Sequence, residues 1–232
     1  MSYRFQFDVV LAQSDRFIEG AALTLQLSGE AIVFGTVIGI LGALARTEGP
    51  RWLDWIVGAY VEVIRNTPLL VQVFLLFFGL PAVGVKFTAT EAALFALTVN
   101  LGAYATEIIR AGIEAIPHTQ FEAGLSLSLT RLQIFRHIIF MPALEIIYPA
   151  LGAQFTLTLL ASSIVSVVAA NELTTVAQII EGETFRSIEV YTITTLLYIA
   201  MALGLRSILA LLGLVLFRRR RVVQPQVRMS GI

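Results

Sequence analysis

Between Glu145 and Glu172 the chain carries no charged residue at all. At 1.5 Å per residue, the run Ile146 to Asn171 crosses roughly 30 Å of hydrocarbon as a helix, and it is too long for a strand. In hydrocarbon every backbone N–H and C=O must be satisfied internally, which leaves helices or a closed barrel. Comparable apolar segments at 20–45, 64–85, 92–112 and 190–217, beside 142–170, predict an all-α polytopic membrane protein with about five transmembrane helices. Composition agrees. The 232 residues are 57% hydrophobic and 14% charged, with mean hydropathy +0.82, which excludes an ordinary soluble domain.

The charges set the orientation. Residues 1–19 mix Arg4, Asp8, Asp15, Arg16 and Glu19 with aromatics and read as an interfacial lead-in without the continuous apolar core of a cleaved signal. Arg218 to Arg221 directly follow the last span, so the positive-inside rule puts the basic tail 218–232 in the cytoplasm. An odd number of spans then puts the N-terminus outside, and the turn Arg46–Arg51 and the segment 114–141 inside. Trp52 and Trp55 resemble interface anchors. The acidic stretch Glu172–Glu189 is expected outside the membrane, facing outward.

Polar residues inside the spans carry the functional information. Gly35, Gly39 and Gly42 put small residues on one side of the first span, where a second helix can approach closely. Pro68 interrupts the second unit after Glu62 and Arg65. A broken helix at membrane depth is tolerated where it faces protein or a water-filled cavity, so Arg65 to Gln72 reads as a pathway wall or as an ordinary cytoplasmic helix entry. Asn100, Tyr104 and Glu107 lie in the third span. Glu107 either pairs with Arg110 at i,i+3 or faces substrate. Gln154, Thr156, Thr158, Ser162, Ser163 and Ser166 either back-bond to carbonyls or line a polar route.

Segment 114–141 is an amphipathic island between apolar spans. Phe121, Leu125, Leu129 and Leu132 recur at steps of three and four, on one face of a short helix beside Glu122, Ser126, Ser128 and Arg131. Pro117 and Pro142 limit it. On periodicity alone this is equally a helix lying on the lipid surface. No phosphate-cradling loop exists: Lys86, the one lysine, follows Val85 rather than Gly. His118 and His137 are isolated from each other and from carboxylate clusters, no cysteine is present, and no catalytic residue or metal site is expected. Beside a span, the Arg run reads as an anchor for lipid phosphates and not as a nucleic-acid site.

Three spaced motifs resemble the polar amino-acid branch of ABC importer permeases: Glu122-Ala123-Gly124 followed by Ser128 and Ile139-Phe140-Met141-Pro142; Tyr60 to Gln72 with Arg65-Asn66-Thr67-Pro68; and Tyr104 to Pro117 with Glu107, Arg110 and Gly112. The resemblance runs from about Gly20 to Gly213 and implies a type I ABC importer permease fold in the cytoplasmic (inner) membrane of a bacterium. Two departures stand out. The family usually has Gly where Ser128 stands, and a residue with a Cβ in a left-handed turn costs roughly 1–2 kcal/mol. Where this branch often carries Lys-Asp-Thr-Ser-Leu in the fourth span, this chain has Leu160-Ala161-Ser162-Ser163-Ile164, which is compatible with a heteromeric pair in which the other subunit holds part of the site.

The resemblance implies that Gln120, Glu122, Ala123, Gly124, Leu125, Ser128, Arg131 and Phe135 couple the chain to a cytosolic ABC ATPase dimer, which binds ATP and Mg and does the hydrolysis. A second permease subunit, identical or homologous, and an extracytoplasmic amino-acid-binding protein complete the system. A zwitterionic substrate needs donors near its carboxylate and an acceptor near its amine, which makes Arg65, Gln72, Asn100, Tyr104, Glu107, Ser162 and Ser163 the candidate contacts. A non-transporting membrane scaffold or passive channel is the alternative, and an exporter of the same fold a second.

Overall fold

In a computed structural model that describes residues 3–217, the chain is almost entirely helical, with no strand among the described residues. Helix α1 (Phe7–Leu11) leads into α2 (Ser14–Glu48), and α3 (Arg51–Arg65) follows the Gly49–Pro50 break. Pro68 lacks an N–H and disfavours helix at the residue before it, so α3 stops and α4 (Leu69–Phe74) restarts, the two segments being bent by 104°. A π-turn (Leu75–Gly79) and a 3₁₀ turn (Leu80–Val83) end that unit at Gly84, whose φ of 88° suits a residue without Cβ. A reciprocal cap between Thr88 and Glu91 starts α5 (Ala89–Glu114).

On the far side of Pro117 come α6 (His118–Ser126) and α7 (Arg131–Ile134), the second opened by a Thr130–Gln133 cap. Through a π segment (Phe135–Ile139) α7 runs on into α8 (Phe140–Ala161) and a 3₁₀ turn (Ser162–Val168); α9 (Leu173–Thr184) and α10 (Ser187–Leu216) complete the chain. Four stretches are long and apolar enough to cross a membrane: Ser14–Glu48, Ala89–Glu114, Arg131–Val168 and Ser187–Leu216. The bent α3–α4 pair makes five if it is counted as one span. Helices α2 and α5 overrun the apolar segments 20–45 and 92–112 at both ends, and within 64–85 the break falls at Asn66–Pro68, which leaves Arg65 on α3. The lead-in 1–19 holds α1 and the start of α2. The Arg218–Arg221 run and the tail 218–232 lie outside the described residues.

The glycine side of α2 packs on α5. A Cβ on Gly39 would stand 2.4 Å from the Cβ of Ala105, and one on Gly42 would stand 2.4 Å from Thr106 Oγ1, so the two helices are nearly in backbone contact. Around this pair, Leu27, Ala31, Val73, Ala93, Ala96 and Leu97 form one apolar core, while Ala43, Ala105, Ile109, Ile147 and Leu151 join α8 to the bundle.

The acidic segment Glu172–Glu189, expected outside the membrane, packs into the fold at both of its ends. Leu173, Ala177 and Ile180 of α9 are buried against Phe17 and Val190, and both Glu172 and Glu189 are fully buried. Glu172 caps α9 by accepting from the backbone N–H groups of Thr174 (2.9 Å) and Thr175 (2.8 Å), and it also accepts from Tyr198 Oη at 2.8 Å. Burial pushes its carboxyl up from the ordinary carboxylate range, against the pull of those donors. Glu189 accepts from Tyr3 Oη at 2.5 Å and from the Gln6 backbone N–H at 2.9 Å, which straps the N-terminal lead-in to α10.

Candidate functional site

The break between α3 and α4 borders a cavity of about 630 Å³ that opens between α5 and α8. Arg65, Asn66, Thr67 and Pro68 line it from the break, Asn100 and Tyr104 from α5, and Gln154 and Thr158 from α8, with Leu97, Leu157 and Ile164 giving apolar walls. An apolar chamber with a few converging amides, a guanidinium and a phenol suits a small polar solute.

Gln72 builds this wall from behind. Its buried Nε2 donates to the carbonyls of Ile64 and Thr67, each at 2.9 Å; at the helix break the Ile64 carbonyl otherwise has the Thr67 N–H at 3.4 Å, and the Thr67 carbonyl depends on Gln72. Its Oε1 accepts from Asn100 Nδ2 at 3.3 Å. Arg65 is held over the Tyr104 ring, 5.2 Å from its centroid, and Tyr60 Oη donates to the Val99 carbonyl at 2.7 Å, which fixes α3 against α5.

Three of the seven candidate substrate contacts therefore line the chamber: Arg65, Asn100 and Tyr104. Gln72 supports it. Glu107 lies apart, at the meeting point of three arginines. Arg110 donates to both of its oxygens at 3.2 and 2.9 Å, Arg46 bonds to it from α2, and Arg65 Nη1 stands 3.9 Å away. The i,i+3 pair foreseen in the sequence is present, but the clamp extends across α2, α3 and α5. Ser162 and Ser163 donate back to the carbonyls of Leu159 and Leu160, at 2.7 and 2.8 Å, and neither is among the lining residues. Gln154 and Thr158 were not among the seven candidate contacts, yet they line the chamber, as the polar-route reading of this span allowed, and Thr158 Oγ1 also donates back to the Gln154 backbone carbonyl at 3.0 Å.

The segment 114–141 folds as a helical hairpin. The single face expected from Phe121 to Leu132 is broken in two, because Ser128 sits in the left-handed region at φ 57° and turns the chain between α6 and α7. That is the turn for which the family's usual Gly is suited. Gln120, Glu122, Ala123, Leu125, Ser128 and Arg131 are exposed, with Leu127 and Leu132 at 73% and 75%, so the hairpin presents an unpartnered mixed surface. Gly124 points the other way: it is buried, and a Cβ there would lie 2.7 Å from Ile134 Cγ1. Phe135 is half-buried beside a narrow apolar cleft with Phe140 and Leu144. His118 Nδ1 is 3.2 Å from the single carboxylate of Glu122 one turn on, and His137 Nδ1 meets the Gln133 carbonyl at 3.0 Å.

Residues 35–229 match the family model described as binding-protein-dependent transport system inner membrane component. The chain is 33% identical to the glutamine transport system permease protein of Escherichia coli K12 over 208 residues, covering 89% of this chain and 95% of that one. It is 34% identical to a protein of Bacillus subtilis 168 described as a probable amino-acid ABC transporter permease, covering 86% and 88%. Among solved structures, a subunit of an amino acid ABC transporter crystallised with histidines superposes with a TM-score of 0.84 at 37% identity, covering 91% of this chain and 99% of that one. A chain of the inward-facing methionine ABC transporter reaches 0.75 at 19% identity, covering 88% and 98%, which shows the shared fold.

Proposed function

The chain belongs to the family of binding-protein-dependent transport system inner membrane components, and from that premise we propose that it is the permease subunit of an ABC importer that carries a polar amino acid across the bacterial cytoplasmic membrane. The observation that carries this reading is the chamber at the α3–α4 break. Its Arg65 and the amides of Asn100 and Gln154 offer donors to a carboxylate, and the Gln154 carbonyl and the Tyr104 ring can receive an ammonium group. The chain supplies no nucleotide-binding loop. Energy is supplied by a cytosolic ATPase dimer that binds ATP and Mg, while a soluble binding protein delivers substrate on the outer face.

The hairpin α6–α7 is the contact with that ATPase. It is continuous through the π segment with α8, a wall of the chamber, so a push on Leu125 or Leu132 is passed to Gln154 and Thr158 along one helical path. Closure of the ATPase dimer moves the hairpins together and switches the chamber between its two openings, a two-state change. With Pro149 inside α8 and a π segment below it, this helix has the features at which helices bend.

The test is reconstitution with the ATPase and the binding protein. Wild-type proteoliposomes hydrolyse ATP faster when an amino acid and the binding protein are present, and they take the amino acid up. Glu122→Ala inserts normally but loses that stimulation. Stimulation unchanged in the variant would remove Glu122 from the coupling surface, and a stable oligomer that never binds an ATPase would favour the scaffold or channel reading.

A further inference from the structure

Two charges lie deep inside the long spans with no opposite charge to meet. Glu30, in the middle of α2, accepts a hydrogen bond from Gln26 Nε2 at 2.9 Å and meets no cation among the described residues. Arg206, in α10, meets no carboxylate among the described residues and is exposed in a groove between α8 and α10 with Tyr148, Gly152 and Thr156. All other charged residues of these spans stand toward helix ends or in the clamps already described. An ionisable side chain at membrane depth is costly unless it is paired or hydrated.

The two charges lie at nearly the same depth. Helices α2 and α10 run side by side in the same direction: Tyr3 and Gln6 meet Glu189 at one end, and Thr24 and Tyr198 both reach Glu172 further along. Measured from that shared level, Glu30 is six residues on and Arg206 eight, about 9 Å and 12 Å at 1.5 Å per residue. Both surfaces are open. On α10, Arg206 and Leu203 one turn before it (56%) are exposed; on α2, Val33 and Phe34, one turn after Glu30, are 61% and 54% exposed; and none of the most apolar stretch of α10 is buried within the chain, against 61% for α5.

We infer that these surfaces are the two halves of one interface, in which Glu30 of one copy of this chain pairs with Arg206 of a second copy inside the membrane. A two-fold axis along the membrane normal keeps every residue at its own depth and makes the contact twice, Glu30 to Arg206 and Arg206 to Glu30. Opposite charges at matched depth are what such an interface needs, because a copy that offered only like charges would leave both uncompensated. The inference rests on the permease reading in requiring two such subunits per transporter, and it specifies that the partner is identical.

The test uses the full chain in bacterial membranes, where the absence of native cysteine allows single thiols to be introduced. Two differently tagged copies are co-expressed, one carrying Glu30→Cys and the other Arg206→Cys, and treated with a bifunctional maleimide long enough to span an Arg–Glu pair. A cross-linked band carrying both tags, formed only when both thiols are present, is expected. Co-purification of the two tags should also fall about tenfold in Arg206→Glu, and should recover when Glu30→Arg is added in the same chain, as a lone buried charge costs far more than a reversed pair. Absence of the double-tag band overturns the inference, as does a band joining one tag to a different membrane protein. Loss of bound anionic phospholipid on Arg206→Gln, with the double-tag band absent, would give the site to a lipid headgroup and overturn it equally. Retention of the ATPase in any of these outcomes would leave the importer reading standing, so the two failures are separable.

Discussion

Asn100 and Gln72 are joined amide to amide across 3.3 Å, which links the floor of the chamber to the side chain that holds the broken helix together. Through Gln72 the break is capped, and through Asn100 the cap reaches the chamber. Gln72→Leu keeps most of the volume but leaves the Thr67 carbonyl without a donor and the Ile64 carbonyl with only the long bond from Thr67 N–H, a loss of about 1–3 kcal/mol. A lower thermal midpoint of the purified complex, together with reduced uptake, is expected. Asn100→Leu should leave the midpoint nearly unchanged and raise the KM for uptake, which radiolabelled transport would show.

Glu107 is engaged by Arg46, Arg65 and Arg110 and does not line the chamber. Glu107→Gln therefore weakens the join between α2, α3 and α5 by on the order of 1–3 kcal/mol. Uptake of a cationic and of a neutral amino acid should fall by the same factor. A selective loss of the cationic one would return Glu107 to substrate recognition.

Gly124 is where α6 meets α7, with room for no more than a hydrogen. Gly124→Val places carbon within the radius of Ile134 and costs about 1–3 kcal/mol locally, enough to splay the hairpin. Because the hairpin lies apart from the apolar cores, the variant should insert and pair normally while its ATPase activity no longer responds to substrate. Comparison of basal and stimulated hydrolysis measures this.

Ser128 holds a left-handed backbone at φ 57°. Replacing it with Gly relieves the Cβ contact, and the hairpin should gain about 1 kcal/mol. Slower amide exchange over residues 120–134, with unchanged transport, is the expected reading.

The carboxyl of Glu172 is raised by burial, so the folded state binds its proton more readily than the unfolded chain does. Its contribution to stability is full below the unfolded carboxyl range and is lost as pH rises through the raised folded value. Glu172→Gln removes this titration, and the thermal midpoint of the variant should fall less with rising pH than that of the wild type across that window.

Local rules made much of this visible in the chain. The glycines at 35, 39 and 42 announced a close helix partner and Pro68 announced the broken span, whereas the left-handed turn at Ser128 was implied by the resemblance to a family that usually has Gly there. The first two depend on neighbours within a few residues. What stayed hidden depends on distant ones: Arg46 reaching Glu107 from another helix, Tyr198 and Thr24 converging on Glu172, and α9 turning inward despite its acidic flanks. The hydroxyls of Ser162 and Ser163 had two outcomes open to them, and the turn of the backbone after Ala161 chose the nearest carbonyl. Gln154 and Thr158 joined the site only because α8 faces the break in α3–α4.

Topology at Leu125 tests the central claim most directly. Leu125 is 49% exposed on the hairpin, and Leu125→Cys would be the chain's one thiol. A membrane-impermeant maleimide should label it in inverted vesicles and not in intact cells, and bound ATPase should protect it. Labelling from the outside would place the hairpin on the wrong face of the membrane and contradict the account.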